Sequence, residues 1–312
     1  MALGRVWSMF TDLIGRIGPQ AEHVPAAELV SADPQPAVPG APAPPTHWNR
    51  ARIAVVESLW GEGFIFPAGE QETLRLAMPL VLSEATSLLL VGAGSGGPVA
   101  CIAAQLGAWV TGFESDPDLA GLAMERSSRS GFGKRAVIKI WDPTTPNFSR
   151  RSFHRALALE PLRGAPAGPI LVAMFQALRP GGELMLVDLV ADQPLDPADD
   201  AVLAWSLLEG RAPVVPSQKA ITAALGRLGF DVRTTEDISL RHMQQALRGW
   251  HDVLRGMREN RPSHATAKVL VAEAELWLRR ISLIREKRIR LVRWVADQGP
   301  TSQREFEELQ LS

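Results

Sequence analysis

The chain has 312 residues, of which 46% are hydrophobic and 21% charged, a composition typical of one large globular domain with additions. Its net charge is −1, so it has no general positive field to hold a phosphate backbone, and nucleic acid is a poor candidate partner. The single cysteine, Cys101, allows no internal disulfide and lies in an apolar helical pattern, which favours a buried thiol. Because the chain has neither a secretory signal nor an apolar run long enough to span a bilayer, we expect a cytoplasmic protein.

Two segments precede the predicted globular part. In residues 1–18, apolar side chains recur at helical spacing, which predicts a short amphipathic helix. This helix could dock on its own domain or on a partner protein. A peripheral membrane contact is the alternative, although the helix has few basic residues to favour it. Residues 19–46 are rich in Pro and Ala and predict a flexible linker. The sequence does not indicate an oligomeric state.

Strands and helices alternate after residue 47, which predicts a mainly parallel sheet covered on both faces. Seven strands are predicted, at residues 87–91, 108–113, 136–141, 155–159, 183–189, 230–235 and 289–296. Helices are predicted at residues 99–106, 117–129, 171–178, 198–208 and 217–228, and residues 240–288 are largely helical. We assign residues 47–240 to the main domain and residues 241–312 to a helical cap that carries the last strand. The predicted fold class is α/β, doubly wound, with N-terminal and C-terminal helical additions.

A glycine-rich turn directly follows the first predicted strand. Gly92, Gly94 and Gly97 satisfy the pattern G-x-G-x-x-G, and a helix begins at its end. Glycines allow a sharp turn and a close approach of the backbone to a ligand, and the helix N-terminus offers free N–H groups to an anion. Glu114 ends the second strand about 20 residues later, where an acid can accept from both hydroxyls of a ribose. NAD and S-adenosylmethionine share this ribose, so both remain candidate ligands at this point.

Three further features distinguish between these ligands. Asp142 follows the third strand, where a carboxylate can accept from an adenine amino group, and Pro180 opens a Pro-Gly-Gly turn before the fifth strand. A helical segment also precedes the glycine-rich strand. Together these motifs resemble the class I S-adenosylmethionine-dependent methyltransferases over residues 46–240. The resemblance implies S-adenosylmethionine as the cofactor and a small molecule as the methyl acceptor. It also implies a set of cofactor contacts: Gly92, Ala93, Gly94, Gly96, Glu114, Ser115 and Asp142.

A narrower resemblance lies upstream of the glycine loop. Residues 60–69, with the sequence WGEGFIFPAG, are similar to the segment that precedes this loop in phosphoethanolamine N-methyltransferases and their bacterial relatives. The resemblance implies that the segment folds over the cofactor and that Ile65 and Phe66 contact it. Trp48, Trp60 and Phe64 are candidate substrate-binding residues, because the face of an aromatic ring attracts ammonium groups. Packing is the commoner role of such aromatic residues.

Two positions depart from the family pattern. An acid usually lies two residues before the first motif glycine, where it helps to hold the methionine amine, and here that residue is Leu90. The Tyr–His pair of the phosphoethanolamine enzymes is also absent. Trp48 stands at the Tyr position, Gly164 stands at the His position, and the chain contains no tyrosine. A non-catalytic binding or assembly module is therefore the alternative to an enzyme.

Glu160, at the carboxyl end of the fourth predicted strand, is the candidate catalytic residue. It could accept a proton or hold an amine beside the sulfonium, or it could only cap the following turn. The histidines have no metal-ligand spacing, so we expect no metal. The expected reaction is methyl transfer to an amine or to a lipid or headgroup-like acceptor. Positioning alone can supply much of its rate, because the sulfonium is already an activated donor.

Overall fold

The computed structural model describes residues 47–163, 165–257 and 261–299. The amphipathic helix predicted at residues 1–18, the linker predicted at residues 19–46 and Gly164 lie outside the described residues. Within these ranges, every helix is too short or too polar to cross a membrane.

The described chain alternates strands and helices. Its strands are β1 (Ser87–Val91), β2 (Trp109–Glu114), β3 (Ala136–Ile140), β4 (Phe153–Leu159), β5 (Leu178–Val190), β6 (Phe230–Asp237) and β7 (Arg290–Gln298). Its helices are α1 (Arg50–Trp60), α2 (Gly69–Ala77), α3 (Gly97–Leu106), α4 (Pro117–Arg129), α5 (Ala167–Ala177), α6 (Asp200–Glu209), α7 (Gln218–Arg227), α8 (Ser239–Gly256) and α9 (His264–Arg285). A single 3₁₀ turn, Met78–Leu80, follows α2.

The seven strands form one sheet in the order β3-β2-β1-β4-β5-β7-β6. Strands β1 to β5 pair in parallel, whereas β7 is antiparallel to both β5 and β6. The predicted doubly wound, mainly parallel seven-stranded sheet is therefore confirmed. The order departs from the 3-2-1-4-5-6 arrangement of dinucleotide-binding sheets, because an antiparallel strand is inserted beside β5.

Strand β1 is apolar on both faces because helices cover both sides of the sheet. Leu88 and Leu90 are fully buried in one hydrophobic cluster, and Leu89 and Val91 are fully buried in a second cluster on the opposite face. This alternation follows the two-residue period of a strand. Strand β1 therefore lies in the middle of the core, and the turn that follows it has a fixed position.

A third hydrophobic cluster joins the two ends of the described chain. Trp60 of α1 packs edge-to-face on Trp277 of α9, with the ring centroids 5.2 Å apart. Trp250 of α8 is fully buried in the same cluster. The boundary proposed at residue 240 runs through this packing, and β7 lies inside the sheet. Residues 241–257 and 261–299 therefore share one core with the preceding domain.

We predict that Leu90→Asp destabilises the protein by about 3–5 kcal/mol, the cost of an uncompensated buried charge. Leu90 is fully buried among apolar side chains and offers an aspartate no counter-charge. Leu90→Met is the matched control, because a swap that conserves volume costs less than about 1.5 kcal/mol. Urea unfolding followed by tryptophan fluorescence measures both variants. If Leu90→Asp unfolded at the wild-type urea concentration, the carboxylate would have found a polar partner.

Candidate functional site

A cavity of about 550 Å³ opens at the carboxyl edge of the parallel strands. Gly92, which follows β1, Glu114 at the end of β2 and Glu160, which follows β4, all line it, together with Val187 of β5. Ligands of open α/β sheets bind outside the carboxyl ends of the strands. The volume lies within the range of roughly 300–1,000 Å³ that is usual for small-molecule sites.

The turn after β1 requires glycine because strand β4 passes close beside it. Gly92 has a φ of 85°, and a Cβ atom there would lie 2.3 Å from the carbonyl oxygen of Leu159. The amides of Gly92 and Ala93 both donate to the carbonyl oxygen of Phe113, at 2.9 Å and 3.1 Å. These contacts hold the turn against the end of β2.

The glycine loop meets the cavity through Gly92, while the other loop residues predicted to bind a cofactor pack against protein. Ala93 is fully buried in the core. A Cβ atom on Gly94 would lie 3.0 Å from Ile65, and one on Gly96 would lie 3.1 Å from the Cα atom of Ala123 in α4. These three residues shape the turn, and their contact with a cofactor stays a prediction.

Glu114 is the buried acid of this edge. Its Oε2 accepts from the Gly94 amide at 2.8 Å, and its Oε1 accepts from the amides of Ser115 at 2.9 Å and Asp116 at 3.1 Å. Burial raises the pKa of Glu114, although these three amides oppose the shift. Because a carboxylate has about four lone-pair sites, one site on Oε2 remains for a ligand. The sequence predicted that Glu114 accepts from two ribose hydroxyls. In the structure, one lone-pair site on Oε2 is free of backbone donors.

The segment between α1 and α2 lies directly on the glycine loop. The Gly97 amide donates to the Gly63 carbonyl oxygen at 2.8 Å, and a Cβ atom on either residue would lie 2.7 Å from the backbone of the other. This contact brings Ile65 and Phe66 into the cavity lining. The segment therefore forms one wall of the cavity, which we call the roof segment (residues 61–69).

Glu57 of α1 connects the roof segment to the loop and to α4. Its Oε1 accepts from the Gly63 amide at 3.1 Å and from the Ser95 hydroxyl at 2.6 Å, and its Oε2 accepts from Arg126 at 2.8 Å. Burial opposes ionisation of Glu57, but the Arg126 and Ser95 hydrogen bonds outweigh it and lower the pKa of this carboxyl. The ionised carboxylate therefore holds three separate segments together.

The three aromatic residues predicted to bind substrate separate in the structure. Trp48 lines the cavity, but the Arg52 guanidinium already lies over its ring, 4.2 Å from the centroid. Trp60 and Phe64 are buried in the third hydrophobic cluster and do not line the cavity. The structure thus places Trp60 and Phe64 in packing roles, for which aromatic residues have suitable shape and area.

Asp142 is exposed and does not line the cavity, and its contact with adenine stays a prediction. Its Oδ1 accepts from the Thr144 amide at 2.8 Å and the Thr144 hydroxyl at 2.7 Å, and its Oδ2 accepts from the Thr145 hydroxyl at 3.0 Å. Its neighbours Trp141 and Pro143 line the cavity instead. The acid after β3 therefore shapes the turn that presents these two side chains.

Glu160 lines the cavity in a left-handed conformation, with a φ of 46°. Its Oε1 accepts from Arg280 at 2.6 Å, and its Oε2 accepts from Arg163 at 3.1 Å. Burial favours the neutral acid, but the two guanidinium groups hold the pKa of Glu160 well below its usual range. A carboxylate so paired is a poor proton acceptor, so the structure argues against the predicted role of Glu160 as a base.

Glu160 belongs to a buried ionic cluster that the sequence did not predict. Its members are Glu160, Arg163, Asp188, Glu209, Arg211 and Arg280. Burial raises the pKa of Asp188 to about 6, although nearby Arg211 opposes the shift. Arg280 lies on the same face of α9 as the buried residues Trp277 and Ile284. This helical spacing was the only signal in the sequence that Arg280 would be buried.

Comparisons with known proteins agree with the resemblance seen in the sequence. No family model matches the chain. Methyltransferase GfsG of Streptomyces halstedii is 28% identical over 173 residues, which are 55% of this chain and 62% of GfsG. Phosphoethanolamine N-methyltransferase 2 of Caenorhabditis elegans is 24% identical over 143 residues, 45% of this chain and 32% of that protein. The chain thus spans less than two thirds of the length of these relatives. Because both are named methyltransferases, the resemblance to S-adenosylmethionine-dependent methyltransferases is confirmed.

Solved structures share the fold. Phosphoethanolamine N-methyltransferase 2 of Haemonchus contortus, in complex with phosphomonomethylethanolamine and S-adenosylhomocysteine, superposes with a TM-score of 0.70 at 17% identity. The match covers 79% of this chain and 57% of that one. The (4+2) cyclase SpnF superposes with a TM-score of 0.56 at 16% identity, covering 80% of this chain and 93% of SpnF. At these identities the likeness concerns the fold.

We predict that Glu57→Gln lowers the free energy of unfolding, and that the loss is larger at neutral pH than at acidic pH. Because the folded-state pKa of Glu57 lies below its ordinary value of 4.5, its contribution to stability is complete above that value. The contribution is lost as the pH falls through the folded pKa. Wild-type and Glu57→Gln free energies of unfolding should therefore differ at pH ~7 and converge toward pH ~3. Urea unfolding across this range measures the difference.

Glu62→Gln is the matched control for this prediction, because Glu62 is 83% exposed and lies 3.7 Å from Arg126. Exposed ion pairs contribute only about 0–1 kcal/mol. Equal pH profiles for Glu57→Gln and the wild type would contradict an ionised Glu57 at the junction.

Proposed function

We propose that this chain binds S-adenosylmethionine in the cavity and transfers the methyl group to a small-molecule acceptor. The observation that carries the proposal is the Glu114 carboxylate, which is buried at the end of β2 beside Gly92 and keeps one acceptor position on Oε2. A ribose hydroxyl matches this position, because a buried acceptor needs a donor. The likeness of the chain to named methyltransferases supports the same ligand.

The residues around Glu114 fit the other parts of this cofactor. Trp141, Pro143 and Pro117 provide flat or apolar surfaces for an adenine ring on the β2–β3 side. Ile65 and Phe66 of the roof segment would cover the sulfur end and keep water from it. When bound, the cofactor supplies a methyl group on a positively charged sulfur, which is an activated donor. The protein contributes orientation and a dry cavity, and both can account for much of a rate enhancement.

The acceptor half of the cavity lies on the other side of β1. Glu160, Val187 and Leu291 line it, from β4, β5 and β7. The sequence resemblance favours an amine or a headgroup-like acceptor, which an unpaired carboxylate would hold best. The carboxylates here already have donors, since Glu160 accepts from Arg280 and Arg163 and Glu209 accepts from Arg280 at 2.8 Å. Neither Glu160 nor Glu209 is therefore free to hold an amine.

A second function on the same fold has one observation in its favour. The cyclase SpnF superposes over most of this chain, so a methyltransferase-type sheet also occurs in a protein named for a different reaction. A binding or cyclising module would hold S-adenosylmethionine without consuming it. The NAD alternative is disfavoured by the antiparallel β7 beside β5. Detection of S-adenosylhomocysteine with each candidate acceptor separates methyl transfer from both alternatives.

We predict that Glu114→Gln weakens S-adenosylmethionine binding more than tenfold. Both carboxylate oxygens accept backbone amides, so either orientation of a glutamine turns its NH₂ group toward an N–H donor. The lost charge-assisted hydrogen bond is worth about 1.5–3 kcal/mol, and about 1.4 kcal/mol corresponds to tenfold in affinity. Isothermal titration calorimetry measures the dissociation constant, and a melting curve on the same sample confirms folding.

Glu125→Gln is the matched control, because Glu125 lies on the exposed face of α4 and pairs with Arg129 at 3.5 Å, away from the cavity. It removes the same charge and should leave the affinity unchanged. A folded Glu114→Gln variant with wild-type affinity would place the ribose elsewhere.

A further inference from the structure

Helix α8 presents two polar side chains to the acceptor half of the cavity. His242 and Gln245 lie three residues apart, on the same face of the helix, and both line the cavity. His242 is 6% exposed and Gln245 is 7% exposed. Two uncharged polar groups are thus held in a place where apolar side chains would pack at lower cost.

The Nε2 atom of His242 is buried and has no hydrogen-bond partner among the described residues. The ring contacts Trp277, with centroids 5.5 Å apart in a tilted arrangement. Burial lowers the pKa of His242 to about 3, and the nearby Arg280 adds to the shift, so the ring is neutral at neutral pH. His47, the other histidine of the lining, differs because it contacts the Arg52 guanidinium. Because buried polar atoms nearly always have a partner, we expect a ligand that reaches His242 to supply one.

A hydrogen bond to Glu72 fixes the orientation of the Gln245 side chain. Its amide nitrogen donates to Glu72 at 2.6 Å, and Glu72 also accepts from Arg241 at 3.0 Å. The charge of Glu72 is therefore paired with Arg241, although Glu72 lies in the cavity lining. The α8 wall therefore offers directed hydrogen bonds without a free negative charge.

The surroundings of this wall are apolar, and they limit the kind of molecule that fits. The aliphatic side chains around it are Leu76, Val187, Ile238 and Leu291. An ammonium ion would find no unpaired carboxylate here, because Glu72 and Glu160 both accept from arginines. A neutral molecule with one hydroxyl group matches both the apolar surface and the unpartnered imidazole.

We propose that His242 accepts a hydrogen bond from a neutral hydroxyl of a largely apolar acceptor, and that this hydroxyl oxygen receives the methyl group. This inference rests on the proposed function. The oxygen–carbon bond forms as the carbon–sulfur bond breaks, and the electron pair of the latter stays on sulfur. The hydroxyl proton passes to the imidazole and then to water. A weak base suffices, because a protonated ether is a far stronger acid than an imidazolium ion.

The test uses paired probes that differ in one functional group: phenethyl alcohol with phenethylamine, and octanol with octylamine. Methyl transfer from labelled S-adenosylmethionine is measured with the full chain and with His242→Phe and His242→Gln. His251→Phe is the matched control, because His251 lies on the same helix with a side chain 47% exposed. Calorimetry with S-adenosylmethionine and melting curves accompany each variant.

We expect the wild type and His251→Phe to methylate the alcohols at least tenfold faster than the paired amines. His242→Phe should lose about a hundredfold or more in kcat, the usual contribution of a proton acceptor. His242→Gln can accept the hydrogen bond but not the proton, so it should keep KM and lose kcat. Cofactor affinity should not change, and His242→Phe should not melt lower, because it removes an unpartnered buried group.

Three results would overturn the inference while cofactor binding is intact: faster methylation of the amines, no transfer to either alcohol, or wild-type kcat in His242→Phe. A lower melting temperature with unchanged kcat would assign His242 a packing role. Absence of S-adenosylmethionine binding in the wild type would overturn the proposed function itself, and the inference with it.

Discussion

The contact between the backbones of Gly63 and Gly97 sets the distance between the roof segment and the sheet. Either residue would need another conformation if it carried a side chain, because a Cβ atom would come within 2.7 Å of the opposite backbone. Glu57 holds this contact through a charge shared with Arg126. The cavity wall, the glycine loop and the start of α3 are therefore held in contact with one another. The shape of the cavity beside the end of β1 depends on these contacts.

Charge in the acceptor half is nearly balanced by internal pairing. Glu160 and Glu209 both meet Arg280, and the Arg211 side chain is fully buried with carboxylates at 3.6–3.8 Å. Such pairs contribute little net stability, since desolvation offsets the attraction, but the loss of one partner is costly. The cluster therefore fixes the shape of this half more than it strengthens the fold. The neutral side chains of His242 and Gln245 on α8 line the same cavity.

The sheet was predictable because its signals are local. A continuous apolar run such as Leu88 to Val91 and the glycines after it determine a buried strand and a turn without reference to distant residues. The site was less predictable. Glu114 follows from its place in the motif, whereas Asp142 has the expected position in sequence and yet bonds its own turn through Thr144. Arg280 and His242 come from α9 and α8, and only tertiary packing brings them to the strand ends.

The position of β7 has a consequence for how the chain acquires its structure during synthesis. Strand β6 is an edge strand whose neighbour is β7, and α8 and α9 separate the two in sequence. While the ribosome is still making these helices, β5 and β6 both present unpaired backbone groups, which favour association with other nascent chains. Strands β1 to β4 have already emerged and can pair. The edge of the sheet that carries Glu114 can thus form early, while the opposite half is completed only when the last strand inserts.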